Sequence, residues 1–98
     1  MLFVIICTDN PDRGDLRADN REVHLDYLES KGDQLRLGGR TTTSDGESAT
    51  GSILVVDVES LAEAEAFANN DPFAKAGLFK SVEIRPWACS VGAGLEPG

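Results

Sequence analysis

Histidine and cysteine are scarce in this 98-residue chain, which has one histidine, His24, and two cysteines, Cys7 and Cys89. Two cysteines are too few for a disulfide framework, and neither they nor the single imidazole have the spacing of zinc ligands. We therefore expect no zinc site and no cofactor, and we expect both cysteines to be small, partly buried apolar residues. A carboxylate site for a hard cation stays open, because acidic residues are plentiful.

Basic residues are also few, with nine lysines and arginines against seventeen acidic residues and a net charge of -8. Nucleic acid phosphates favour clustered lysines and arginines, so this balance argues against a nucleic acid partner. An acidic small molecule is still compatible with the composition, since a local basic pocket can exist on an acidic protein.

Long apolar runs are missing as well. The N-terminal run at residues 2–7 is too short for a membrane span or for the apolar region of a signal peptide, and no basic segment precedes it. We expect a soluble, cytoplasmic protein with no membrane partner. Because the run is continuous and rich in β-branched residues, it predicts a central strand that is buried on both faces.

The pattern of apolar residues and breakers predicts six elements in the order strand, helix, strand, strand, helix, strand. We place the strands at residues 2–7, 34–39, 51–58 and 78–87, the helices at 16–31 and 60–69, and a long hairpin loop at 41–50. This βαββαβ order predicts an α+β protein with a ferredoxin-like sandwich, in which two helices cover one face of the sheet. Residues 1–89 form the predicted single domain, and residues 90–98 a flexible C-terminal tail.

Several residues predict where these elements end and how they pack. Gly32 is expected to stop the first helix, and Ser60 with Glu63 reads as a capping box at the start of the second. Pro86 lacks a backbone donor, so the last strand is expected either to end there or to lie at an edge. Strands one and three are apolar throughout, so the open sheet face also has to be covered, which favours a homodimer packed sheet to sheet. The residues expected to point inward from the second helix are Leu61, Ala64, Phe67 and Ala68.

His24 holds an unusual position on the first helix. At 100° per residue it falls near the middle of the arc that carries no acidic residue, with Arg17 and Arg21 beside it. Aliphatic residues normally fill such an inward stripe. An imidazole there is either a structural histidine at the margin of the core or part of a site.

Asp71 precedes Pro72 at the end of the second helix. An aspartate at this position is a standard N-cap, with proline at the first helical position and Gly77 as the stop. Capping and a catalytic role are compatible, so both interpretations of Asp71 stay open.

An ordered set of short motifs runs through nearly the whole chain except the tail. They are Arg21-x-x-His24-Leu25-x-x-Leu28, Gly38-Gly39, Thr50-Gly51-Ser52, Glu59-Ser60-Leu61-x-x-Ala64, Asp71-Pro72-Phe73-x-x-Ala76-Gly77 and Ile84-x-Pro86-Trp87. No single motif is specific, but the set resembles the YciI family (YCII-related domain). One departure is Arg40, where family members often have proline after the glycine pair.

The resemblance implies a ferredoxin-like fold assembled as a dimeric α/β barrel, with an active site built on a His-Asp pair, here His24 and Asp71. Members with an assigned reaction are similar to cofactor-independent lyases that act on small ring-cleavage acids, for example in the dehydrochlorination of a chlorinated hydroxymuconate. Most members have no known substrate.

The resemblance therefore implies a lyase or isomerase, and an imidazole with a carboxylate partner suits the proton transfer that such a reaction needs. We expect His24 to be the general acid/base and Asp71 to orient it. Arg17 and Arg21 would bind a substrate carboxylate, and Ser52 is a further candidate for a hydrogen bond to substrate. Two alternatives remain: a non-catalytic small-molecule-binding or dimerisation module that uses the same pocket, and a purely structural domain.

Overall fold

Four strands form one antiparallel sheet in the order β2-β3-β1-β4. They are β1 (Leu2–Asp9), β2 (Leu35–Thr42), β3 (Ala49–Asp57) and β4 (Phe79–Trp87), and the helices are α1 (Gly14–Ser30), α2 (Leu61–Asn69) and α3 (Pro72–Lys75). This computed structural model describes residues 1–92 and 94. The predicted α+β class and element order are confirmed, with β1 central and β4 at an edge. The predicted tail includes residues 93 and 95–98, which lie outside the described residues.

The central strand β1 alternates in burial along its length. Phe3, Ile5 and Cys7 are buried in a core that also contains apolar side chains of β3 and α2. The intervening residues point to the opposite face of the sheet, as strand geometry requires, and in a single chain they are only half-buried. Burial of β1 on both faces is therefore incomplete within one chain, which leaves an apolar open face.

Helix ends follow the predicted signals with one difference in detail. Gly32 and Gly77 adopt φ values of +56° and +83°, a region that glycine reaches at little cost. Ser60 accepts a hydrogen bond from the backbone of Glu63, whose side chain in turn accepts one from the backbone N–H of Glu59, one residue before the cap.

The apolar stripe of α2 is buried at three of its four predicted positions. Ala64, Phe67 and Ala68 lie in the core, but Leu61 is 45% exposed. Leu61 directly follows the cap, in the first turn of the helix. Its predicted inward position is wrong.

The hairpin between β2 and β3 is tighter than predicted, because both strands continue into the Thr-rich segment. β2 runs to Thr42 and β3 begins at Ala49. The hydroxyl groups of Thr41 and Thr50 lie 2.8 Å apart across the two strands. β-Branched threonines favour extended backbone, so the loop shortens to residues 43–48.

Helix α1 contributes little to the core. Within Gly14–Ser30, His24 is the one side chain that is buried, while Tyr27 and Leu28 are partly buried against the core. A cavity lies on the side of α1 that faces the sheet. The position of α1 therefore creates the candidate site.

Candidate functional site

A cavity of about 760 Å³ is lined by residues of α1, β2 and β3, with contributions from the end of β1 and from α3. That volume suits a small organic molecule. Its lining combines charged and hydrogen-bonding groups with a wall of large apolar side chains. The polar side chains in the lining include Asp9, Arg17, Arg21, His24, Arg40 and Ser52, and the large apolar ones are Leu25, Leu28, Leu35, Leu54 and Phe73.

His24 and Asp71 form a buried hydrogen-bonded pair behind the cavity surface. Nδ1 of His24 lies 2.8 Å from Oδ1 of Asp71, and the two residues are 7% and 2% exposed. His24 lines the cavity, whereas Asp71 stands behind the imidazole ring. An ionised carboxylate can only accept, so Nδ1 carries the proton of this bond.

The same carboxylate oxygen also caps α3. Oδ1 of Asp71 accepts a hydrogen bond of 2.9 Å from the backbone N–H of Phe73, and Pro72 occupies the first helical position. This is the predicted capping arrangement. The cap holds the carboxylate at the start of α3, where it meets the imidazole of α1.

Phe73 fixes the plane of the imidazole. The two rings stack with centroids 3.8 Å apart and an interplanar angle of 11°. The guanidinium carbon of Arg17 lies 4.8 Å from the centroid of the same phenyl ring, at cation–π distance. His24 is thus held by Asp71 at Nδ1 and by the phenyl ring along one face.

The guanidinium group of Arg17 is hydrogen-bonded to other side chains of the protein. Its Nε and Nη2 donate to the two carboxylate oxygens of Asp9, both at 2.9 Å, and Nη2 also donates to Oγ of Ser52 at 3.1 Å. A bidentate pair of this kind is strong and directional. It leaves Nη1 as the nitrogen of Arg17 that is open to a ligand.

Cys7 lies close to this network, and its surroundings make the thiol unreactive. Burial raises the pKa of its thiol to about 12, with further raising contributions from the negative charges of Asp71 and Asp9, while Arg17 acts in the opposite direction. A thiol is nucleophilic only when deprotonated. At neutral pH Cys7 therefore behaves as the apolar core residue that the sequence predicts, and it forms no disulfide bond.

The structure brings together all five residues that the sequence singled out. His24, Arg17, Arg21 and Ser52 line one cavity, and Asp71 contacts it through His24. Their roles in binding or catalysis stay predictions.

Sequence reasoning missed Asp9, Phe73 and the placement of Arg40 in the cavity. Asp9 could have been found, because it continues the period-two series of Phe3, Ile5 and Cys7 and so had to face inward. The stacking of Phe73 on His24 gave no signal in the sequence, since the two residues come together only in the folded chain.

None of the described helices combines the length and the apolar character that a bilayer span requires. Within residues 1–92 and 94, no three side chains of histidine, cysteine, aspartate or glutamate gather closely enough to bind a metal ion. The hard-cation alternative thus has no candidate ligand set in this part of the chain.

Comparison with known proteins gives relatives along most of the chain. The sequence matches the YCII-related domain over residues 1–88. It is 33% identical to Protein YciI of Escherichia coli O6:H1 and of Shigella flexneri over 94 residues, which cover 89% of this chain and 96% of either relative. An uncharacterized protein of Haemophilus influenzae is 31% identical over the same lengths.

A solved structure extends the likeness to the fold. It is that of the 5-chloro-2-hydroxyhydroquinone dehydrochlorinase from Burkholderia phenoliruptrix AC1100, in complex with 2,5-dihydroxybenzoquinone. The two chains are 41% identical with a TM-score of 0.80, and the alignment covers 89% of this chain and 93% of the other. Because the family match spans residues 1–88 and the relatives align along most of the chain, the chain belongs to the YCII-related, or YciI, family.

Proposed function

We propose that this protein is a cofactor-independent enzyme that transfers a proton on a small acidic molecule, as a lyase or an isomerase. The observation that carries the proposal is the buried bond of 2.8 Å between His24 Nδ1 and Asp71 Oδ1, with the same imidazole lining a cavity of about 760 Å³. The likeness to a dehydrochlorinase supports a reaction of the same type. The proposed unit is the single domain of residues 1–89.

The proposed mechanism begins with the tautomer of His24. Because Nδ1–H donates to Asp71, the neutral ring has its lone pair at Nε2, the nitrogen that remains for a substrate in the cavity. Nε2 removes a proton from carbon as a general base, and the carboxylate of Asp71 stabilises the resulting imidazolium. The stacked phenyl ring of Phe73 keeps the imidazole in the same orientation throughout.

Elimination of hydrogen chloride fits this machinery without a redox partner. The C–H bond breaks as its proton moves to Nε2, its electron pair forms a new double bond, and the C–Cl bond breaks to release chloride. The imidazolium then returns its proton to solvent. Substrates of this class are chlorinated muconate-like acids with a hydrogen on a saturated carbon next to the C–Cl carbon. In a chlorinated hydroxyquinol, the compound for which the similar dehydrochlorinase is named, the carbon that holds chlorine first gains a proton in the keto tautomer. Nε2 then removes a ring hydroxyl proton, whose electron pair forms the quinone as chloride leaves. Arg17, Arg21 and Ser52 are the proposed substrate-binding residues.

Turnover assays test this function. Wild-type protein is incubated with a panel of chlorinated muconates and hydroxyquinols, and released chloride is measured. We expect release by the wild type and a loss of about 10²- to 10⁴-fold in His24→Ala. Chloride release that is unchanged in His24→Ala contradicts the mechanism. Binding of panel compounds without turnover in any variant favours the non-catalytic module instead.

We further propose that the protein is a cytoplasmic homodimer that pairs through the open face of the sheet. The registers place Val4, Val55 and Leu37 in one row on this face and Ile6 beside Ile53 in the next. Leu37 and Ile53 are 47% and 41% exposed, so an apolar surface stays uncovered in one chain. The cytoplasm is supported by Cys7, a buried thiol that forms no disulfide.

Sedimentation velocity tests the assembly. We expect the wild type to sediment as a dimer and Ile53→Lys as a monomer, because a lysine in the middle of the apolar face cannot be buried against a second copy. Leu61→Lys is the matched control, since Leu61 is exposed to a similar extent but lies on α2. A monomeric wild type would rule the dimer out.

A further inference from the structure

Two arginines line the cavity without a protein partner. Arg21 on α1 and Arg40 on β2 are both part of the lining, and neither takes part in an ion pair or a side-chain hydrogen bond within residues 1–92 and 94. Arg17, in contrast, has its charge matched by the carboxylate of Asp9. The positive charge of the cavity that no protein carboxylate matches therefore belongs to Arg21 and Arg40.

The backbone directs both side chains toward the same space. Arg40 is paired with Ser52 in the register of β2 and β3, and paired residues share a face of the sheet. Ser52 lies on the side of Asp9 and Arg17, the side that α1 covers. Arg21 precedes His24 by three residues on α1, so the two lie on one face of the helix. The cavity thus has one free guanidinium on its helical wall and one on its sheet wall.

The charge of the cavity is opposite to that of the protein. The chain has a net charge of -8, yet the cavity lining contains three arginines and a single carboxylate. Beside these charges stand the apolar side chains of Leu25, Leu28 and Leu35. A ligand that satisfies both parts of the lining has an apolar ring or unsaturated body and at least one full negative charge.

We propose that Arg21 and Arg40 form an anion subsite that selects the substrate of this enzyme. The ligand class is a small unsaturated or aromatic compound with an ionised carboxylate or ring hydroxyl, whose charged group lies against the two guanidinium groups while another part of the molecule meets His24. The inference rests on the proposed function, because it assigns the substrate class of the same cavity. Arg40 is its specificity-determining residue.

Calorimetric titration with a matched pair of quinones tests the subsite. In 2,5-dihydroxybenzoquinone both hydroxyl groups are ionised at neutral pH, whereas 2,5-dimethoxybenzoquinone has a similar shape and no charge. We expect wild-type protein to bind the ionised compound more tightly and to lose affinity as salt is added. Arg40→Gln and Arg21→Gln should each weaken this binding about tenfold. Arg36→Gln removes an equal charge from the same strand, outside the cavity lining, and should bind like the wild type.

Equal affinity of Arg40→Gln and the wild type for the ionised quinone would overturn the subsite. So would equal affinity of the wild type for the two quinones. Turnover separates this inference from the function on which it rests. If binding depends on Arg40 but no compound is turned over, the subsite stands and the catalytic proposal fails. If a substrate is turned over with the same KM in Arg40→Gln, the catalytic proposal stands and the subsite fails.

Discussion

Asp71 Oδ1 lies 2.8 Å from Nδ1 of His24 and accepts the backbone N–H of Phe73 at 2.9 Å. One oxygen atom thus caps a helix and orients an imidazole. Any residue that caps would hold α3 in place, but only an ionised group also stabilises a positively charged ring. Substitutions that keep the cap and remove the charge can therefore separate structure from chemistry.

Asp71→Asn should keep most of the stability and lose most of the activity. Asparagine caps helices about as well as aspartate, so we expect the free energy of unfolding to change by less than about 1 kcal/mol. Its neutral amide cannot stabilise an imidazolium, and turnover should fall by about 10²- to 10⁴-fold. Urea unfolding and the chloride assay measure the two effects on the same preparation.

Asp71→Ala removes both functions and serves as the comparison. Loss of the cap costs about 1 kcal/mol, and a buried imidazole N–H without an acceptor costs about 1–3 kcal/mol more. Activity should fall at least as far as in Asp71→Asn. Turnover by Asp71→Asn at the wild-type rate would contradict the catalytic role. If Asp71→Asn unfolds as easily as Asp71→Ala, the negative charge is needed for stability as well.

The pair of Asp9 and Arg17 should be a stabilising element beneath the cavity. Both side chains are largely buried and share two hydrogen bonds of 2.9 Å. Asp9→Ala leaves a buried guanidinium without its counter-charge, so we expect a loss of about 3 kcal/mol in the free energy of unfolding. Replacing both residues, as in Asp9→Ala with Arg17→Met, should cost less than Asp9→Ala alone.

An exposed pair supplies the control for that measurement. Arg36 meets Asp57 at 3.5 Å with both side chains in contact with solvent, and Arg36→Ala should change stability by at most about 0.5 kcal/mol. A double variant of Asp9 and Arg17 that is as unstable as Asp9→Ala would show that the aspartate acts through some contact other than Arg17.

The sequence predicts which residues form this site, but it does not predict which of them contact one another. Element order predicted the fold, and the helical arc around His24 predicted an inward imidazole with arginines nearby. The engagement of Arg17 by Asp9 depends on where α1 crosses the end of β1, a relation that no local pattern encodes. The cavity position of Arg40 depends in the same way on its strand register with Ser52. Such long-range relations decide which charges are matched within the chain and which remain for a ligand.

The buried thiol of Cys7 should make stability depend on alkaline pH. Its pKa is about 12 in the folded protein against an ordinary value of 9.0. Below pH 9 the thiol is neutral in both the folded and the unfolded state, so its contribution to the free energy of unfolding is fully present. Between pH 9 and about 12 the unfolded chain loses this proton first, so the free energy of unfolding falls by at most about 1.4 kcal/mol per pH unit.

Subtraction of a Cys7→Ala titration isolates this effect, because lysines and the tyrosine ionise over the same range in both proteins. We expect the difference in the free energy of unfolding between wild type and Cys7→Ala to be constant below pH 9 and to shrink above it. A difference that stays constant up to pH 11 would mean that the thiol ionises as readily in the folded protein as in the unfolded chain.

Gly51 should tolerate no side chain at all. It is buried in β3, and a Cβ atom there would lie 2.1 Å from the backbone oxygen of Cys7 and 2.9 Å from Oγ1 of Thr41. The first contact is with a central strand that cannot move aside, so Gly51→Ala has to distort the sheet. We expect a loss of about 3 kcal/mol or more in the free energy of unfolding.

Gly39→Ala is the matched control, since a Cβ on that strand residue meets nothing within 4 Å. This variant should change the free energy of unfolding by less than about 1 kcal/mol. Equal stabilities of the two variants would show that β1 and β3 approach each other less closely at Gly51 than the structure describes.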